Sequence, residues 1–212
     1  MAKIKKNIWL TTLLILLILL LVLGGTLFLA TNEKVSRVDQ LDGMIEKVLG
    51  DNQMDFYLPY VRGIIYTESK GLGVDVMQSS ESKYGQINNM SSKEESIEAG
   101  VAYFKKALML AKAEKCDVWT AVQAYNFGLN YIPYVAKRGG KNTLTLAEKY
   151  SKEVLASKDE NGNSQKYRYW HVEAFMYNGG YLYRNGGNFF YAQKVKQNME
   201  VIHWMNQWRD KL

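Results

Sequence analysis

The chain is poor in the residues that would cross-link it or hold a metal. It has a single cysteine, Cys116, so an intramolecular disulfide is excluded. Its two histidines, His171 and His203, have no partners at metal-ligand spacing, so neither a zinc site nor any other metal or cofactor is expected. Excess charge is also scarce. The formal net charge is +6, and Lys3, Lys5 and Lys6 account for half of it, leaving +3 for the rest. That balance is too weak to argue for a nucleic-acid partner, but it suits loose association with an anionic surface or wall polymer. No stretch alternates convincingly with period two, and no repeat of solenoid length occurs, so the reading is mainly α.

One thing is abundant, and it comes first. From Asn7 to Asn32 there is no charge, and Ile8 to Ala30 is mostly Leu and Ile. At about 1.5 Å per residue such a run crosses a bilayer as a helix. Three lysines precede it and no acid occurs in the first thirty residues, which points the N-terminus into the cytoplasm. A cleaved signal peptide is the competing reading. The length of the run argues against it, as does Phe28, which stands three positions back from a cut after Ala30, where a small residue is wanted. Residues 1–32 are therefore read as a cytoplasmic tip and single-pass signal anchor in the cell membrane. Residues 33–212 are read as one extracellular domain, large enough for its own core. A domain exported without disulfides fits a bacterium, and a Gram-positive one most easily.

In chain order, Val35, Val38, Leu41, Ile45, Val48 and Leu49 predict an amphipathic helix over 33–50, leaving a short stalk at 31–34. A second helix is expected from Met54 to Glu68, with Pro59 in its first turns. Residues 71–90 read as a long polar loop. Ser92 and Glu95 form a capping box for a helix carrying Ile97, Val101, Phe104, Leu108 and Ala111. Asp117 caps another, which stops at Gly128. A short helix follows over Leu129–Arg138, and Thr145–Glu148 reads as a second capping box. The tail, about Ala192 to Lys211, has helical spacing. Asn178-Gly179-Gly180 and Asn185-Gly186-Gly187 fit either a hairpin or helix caps.

The stretch that carries chemistry is Glu68-Ser69-Lys70-Gly71, followed by Asp75-Val76-Met77-Gln78-Ser79-Ser80-Glu81. A carboxylate ends an apolar helix and faces a polar loop with two further acids, an amide and hydroxyls. That layout can place a proton donor on a rigid element opposite a sugar-binding loop. Glu68 follows Ile64, Ile65 and Tyr66, so its surroundings can be partly dry, the condition that raises a carboxyl pKa enough for it to act as a general acid.

Glu68-Ser69, Asp75-Val76-Met77-Gln78-Ser79 and Ala124-Tyr125-Asn126-Phe127-Gly128, in that order, resemble the signatures of the goose-type lysozyme and lytic transglycosylase superfamily. The second piece is most similar to CwlT-like cell-wall hydrolase domains, and the anchored single-domain form to the pneumococcal vaccine antigen A family. Phe127 and Val76 depart from the broader superfamily pattern but fit the CwlT-like subgroup. The resemblance implies a lysozyme-like α domain and a glycosidase acting on peptidoglycan between N-acetylmuramic acid and N-acetylglucosamine. It puts Glu68 as general acid and leaves open Asp75 or Glu81 as the second carboxylate. It places Tyr125 and Asn126 at the substrate site, Tyr125 hydrogen-bonding near the catalytic acid. From their own chemistry Gln78, Ser79 and Ser80 offer hydrogen bonds to sugar hydroxyls or the acetamido group, and Tyr177, Tyr181 and Tyr183 are set on the cleft rim. Glycan strands, membrane lipid through the N-terminal helix, and the divisome or wall-synthesis machinery are the partners implied. The alternatives are a lytic transglycosylase giving anhydro products and a non-catalytic glycan-binding scaffold. The second, peptidase domain that accompanies the CwlT-like pattern finds no room in 212 residues.

Overall fold

The computed structural model describes residues 2–86 and 89–211; Ile87 and Asn88, within the loop read up to Met90, lie outside the described residues. The first helix, α1, runs from Ala2 to Asp39 without a break. Its outer part is apolar and open, with Leu10 to Leu23 all more than half exposed where they are Leu or Ile. Among the described residues it is the one helix long and apolar enough to cross a membrane. The stalk read at 31–34 is therefore helical. Arg37 pairs with Glu33 one turn back at 2.5 Å, and Val35 and Val38 are already fully buried in the domain. The expected helix over 33–50 is divided by a turn at Gln40–Leu41, after which α2 spans Asp42–Asp51. The division falls next to Asp39, whose carboxylate accepts from Arg62, Asn206 and Arg209.

A single 3-10 turn at Asp55–Tyr57 leads into α3, Leu58–Glu68, with Pro59 in its first turn as expected. Val61, Ile64 and Ile65 are fully buried. Opposite α3 lies α10, Tyr191–Arg209. The two approach so closely at Gly63 that a Cβ there would stand 2.6 Å from Met199 Cγ and 3.1 Å from the Val195 carbonyl. A second pair, α5 (Lys93–Ala113) and α6 (Val118–Phe127), buries Ile97, Val101 and Phe104 against Ala121, Val122 and Ala124. The caps are as read for both: Ser92 accepts from Glu95 N–H and Asp117 from Thr120 N–H. Glu95 does not reach back to Ser92. Its carboxylate accepts instead from Ser91, Lys83 and Tyr84, which ties down α4, Ser80–Tyr84, a short helix inside the stretch read as loop.

The short helix expected over 129–138 is α7, Tyr131–Ala136. The second capping box is displaced. α8 spans Leu144–Tyr150 with Thr143 as its cap, continuing as a π turn through Leu155. Thr143 has the extended backbone a cap requires, and its hydroxyl accepts from Leu146 N–H. Glu148 is taken by Tyr177 and Tyr183. Neither reading of the Asn-Gly-Gly region holds in full: only the first caps a helix, and the second is a turn after a strand whose partner lies before that helix. Strands β1, Lys166–Arg168, and β2, Tyr181–Tyr183, pair antiparallel, and between them α9, Val172–Asn178, ends on left-handed Gly179.

Candidate active site

Glu68 is the last residue of α3, and the next residue explains how its position is held. The Ser69 hydroxyl donates to the Val76 carbonyl at 2.7 Å and accepts from Gly71 N–H. Lys70 and Gly71 take the left-handed conformation that ends the helix, with φ of 57° and 75°. The Glu-Ser pair thus supplies an acid and a clamp that pins the following loop beside it.

That loop is organised by Asp75, which is nearly inaccessible. Its Oδ1 accepts from Ser96 hydroxyl at 2.7 Å and Ser79 N–H at 2.8 Å, and its Oδ2 from Ser80 N–H at 3.1 Å. Burial pushes its pKa up, but the donors from Ser96, Ser79 and Ser80 outweigh this and hold the carboxyl below its ordinary range. The loop is seated further by Met77, which is fully buried. A Cβ on Gly100 would come within 2.5 Å of the Met77 sulfur, so the close seating requires glycine there. Ser79 and Ser80, expected to face the sugar, are buried (2% and 3% exposed). The Ser79 hydroxyl donates to the Ser96 carbonyl at 2.9 Å. The Ser79 hydroxyl thus binds the loop to α5, and the Ser80 N–H is taken by Asp75 within the loop. Gln78, by contrast, is exposed, with φ of 50°.

Tyr125, near the end of α6, donates its hydroxyl to the Met77 carbonyl at 3.0 Å. It does not bond Glu68. Its ring stacks on Tyr191 at 6.4 Å and 9°, and it is the Tyr191 hydroxyl that donates to Glu68 Oε1, at 2.6 Å. Burial raises the Glu68 pKa; the Tyr191 bond and the charges of Lys194 and Lys70 lower it, Asp75 raises it, and the net direction is upward. Both tyrosine hydroxyls are themselves pushed well above their ordinary value by burial and by Glu68, so each remains a proton-bearing donor at neutral pH.

Tyr191 is held by polar groups from α6. Gln123, fully buried, accepts from Ala192 N–H at 3.0 Å and donates to the Asn188 carbonyl at 2.9 Å. Asn126 Oδ1 accepts from Asn188 N–H at 2.7 Å. One helical turn beyond Tyr191, Lys194 donates to Tyr169 at 2.8 Å, and Tyr169 stacks on His171.

Gln78, Ser79, Glu81, Tyr103, Tyr125, Asn126, Phe127 and Gly128 line a hollow of about 350 Å³. A second, of about 440 Å³, shares Tyr103 and is bordered by Lys83, Glu98 and Lys106. Glu68 lines neither; Tyr125 connects them to it by lining the first and stacking on Tyr191. Tyr177 and Tyr183 also lie outside both linings, bonded to Glu148 at 2.9 and 3.1 Å, and Tyr181 packs under Arg168. The structure therefore gathers Gln78, Ser79, Glu81, Tyr125 and Asn126 on one hollow and joins Glu68 to it through Tyr191 and Tyr125, while Asp75 and Ser80 are bonded to each other within the loop and Tyr177 belongs to another cluster. Tyr191, Gln123, Ser96 and Lys194 were missed by sequence reasoning. Tyr191 lies 123 residues from Glu68, and no local spacing links them.

A family model for lysozyme-like domains matches residues 35–199. The chain belongs to the lysozyme-like family. Among its relatives, a pneumococcal vaccine antigen A homolog of Streptococcus pyogenes is 46% identical over 175 residues, covering 82% of this chain and 87% of that one. The bifunctional muramidase/DL-endopeptidase CwlT of Bacillus subtilis is 36% identical over 115 residues, covering 54% of this chain and 34% of CwlT. This lysozyme-like domain also superposes, with a TM-score of 0.70 and 38% identity, on a Staphylococcus aureus crystal structure described as similar to a lipoprotein of the NLP/P60 family. The match covers 77% of this chain and about half (52%) of that one.

Proposed function

We propose that the protein is a membrane-anchored peptidoglycan glycosidase that cleaves the β-1,4 bond between N-acetylmuramic acid and N-acetylglucosamine, with Glu68 as general acid. One observation carries the reading. A carboxyl on a rigid helix end is buried enough for its pKa to rise, and a buried tyrosine hydroxyl fixes its orientation at 2.6 Å. The muramidase named among the relatives supports the substrate class. Glu68 protonates the leaving glycosidic oxygen as the bond breaks and positive charge develops on the sugar ring. The other face of the ring then needs a nucleophile. Asp75 is saturated by donors and serves the loop. Glu81, exposed on the hollow's wall, is the carboxylate left to activate water. A second reading follows from the same commitment of Asp75: the substrate's own acetamido group attacks the anomeric carbon, and the sugar's 6-hydroxyl then gives up its proton and displaces it, leaving a 1,6-anhydro sugar. Gln78 and Asn126 offer amides to sugar hydroxyls. α1 anchors the domain, with the lysines at its start on the cytoplasmic side and the cleft outside, near glycan under synthesis or division.

Digestion of purified peptidoglycan followed by mass spectrometry tests this. The wild type releases soluble fragments, and Glu68→Gln reduces release by about 10²–10⁴-fold while still co-sedimenting with walls. Undiminished release by the variant would sink the assignment, and no release by the wild type would favour a binding scaffold. A product lighter by one water identifies the acetamido route.

A further inference from the structure

The far end of α10 carries an aromatic pair that the glycosidase reading does not use. Trp204 and Trp208 are exposed, at 54% and 38%, and both rings meet Phe28 edge-on, at 6.1 and 4.6 Å. Phe28 belongs to the apolar run of α1. It lies two residues below Ala30, where that run ends, and five below Glu33, the first charge after it; at about 1.5 Å per residue these are heights of about 3 and 7 Å. On a helix inserted along this run, Phe28 stands at the outer edge of the hydrocarbon. Side chains in contact with it lie where acyl chains meet headgroups, the zone tryptophan favours for its apolar ring and single polar N–H. The contact is not left to a flexible linker. α1 is helical through the junction, and Arg209 and Asn206 of the same α10 segment bond Asp39 of α1 at 2.6 and 3.3 Å.

Resting on the reading that α1 spans the membrane, we infer that Trp204 and Trp208 form a second membrane contact. Their indoles insert among the outer-leaflet lipids beside α1 and fix the orientation of the domain on the bilayer. The same helix begins at Tyr191, whose hydroxyl holds Glu68, seventeen residues from Trp208. Along α10 that is about 25 Å, an upper limit on the height of the Tyr191 backbone above that of Trp208. The surface is continuous with α1, so its occupant is lipid rather than a second protein.

Full-length protein in nanodiscs whose lipids carry bromine near the headgroup end of the acyl chains reads the contact through tryptophan quenching. Trp9, within α1, reports insertion of α1 independently. The expected result is strong quenching of the Trp9→Phe variant and loss of most of it when Trp204→Phe and Trp208→Phe are added. Phenylalanine retains a ring against Phe28, so the fold is kept, and a far-ultraviolet circular dichroism melt checks this. Equal quenching of the single and triple variants would overturn the inference. If Trp204→Phe/Trp208→Phe protein, which retains Trp9, shows no quenching at all, then α1 itself is not inserted and the anchoring reading fails with it.

Discussion

Asp75→Asn separates a scaffold role from a catalytic one. Asparagine preserves the shape of the side chain but has one carbonyl oxygen and one NH2. With the oxygen placed where Oδ1 accepts from Ser96 and Ser79, the NH2 confronts Ser80 N–H, a donor on a residue 3% exposed. Leaving that donor unpaired costs about 1–3 kcal/mol, and the two bonds kept fall from charge-assisted to neutral, about 1 kcal/mol each. The sum is about 3–5 kcal/mol. For a domain of this size each kcal/mol shifts Tm by about 2–4 °C, so a fall of about 10 °C is expected at neutral pH, measured by circular dichroism at 222 nm. The pH dependence has a definite sign. Because the folded-state pKa of Asp75 is depressed, its stabilisation is complete above the unfolded carboxyl value of about 3.9 and is lost as pH falls through the folded one. The gap between wild type and variant therefore closes on acidification. A variant that melts within about 2 °C of the wild type but has lost turnover would refute the reasoning and return Asp75 to the role of base.

Three further outcomes follow from the geometry. Burial raises the Glu68 pKa, so activity is lost as pH rises through that value; stability linked to this group is full below its unfolded pKa and declines through the same window. Glu68→Gln should therefore be more stable than wild type at neutral pH by about 0.5–2 kcal/mol, raising Tm by a few degrees, and an unchanged or lower Tm would contradict a strained acid. Tyr191→Phe removes a bond that favours the ionised carboxylate, so the alkaline limb of the pH–rate profile moves to higher pH while the maximal rate falls about tenfold; an unmoved limb would show that Tyr191 serves packing alone. Gly63→Ala drives a methyl into Met199 and the α10 backbone, costing about 1–3 kcal/mol by overpacking, and a neutral effect in chemical denaturation would mean that the α3–α10 contact can open.

Local chemistry made much of this protein legible in its sequence. The apolar run, the caps at Ser92 and Asp117, the helix ending at Glu68 and the motif pieces all depend on neighbours within a few residues, where helical periodicity and cap geometry act. The same locality misled at Thr145, because Thr143 two residues earlier has the extended backbone of the cap and Glu148 is drawn to tyrosines 29 and 35 residues away. Glu68, Gln78, Glu81, Tyr125 and Asn126 were named from sequence and are gathered by the fold. Which polar groups face solvent was not legible. Asp75, Ser79 and Ser80 look like ligands in a loop, and only the arrival of Ser96 from α5 turns them inward. The stalk looked like a linker until Asp39 met Arg62 and Arg209. The sequence by itself determined that an acid ends a helix beyond a long apolar run. The tertiary structure decided which groups surround that acid, because Tyr191, Gln123 and Ser96 reach the site only through packing of helices far apart in the chain, and burial, which moves the Glu68 pKa, is a property of that packing.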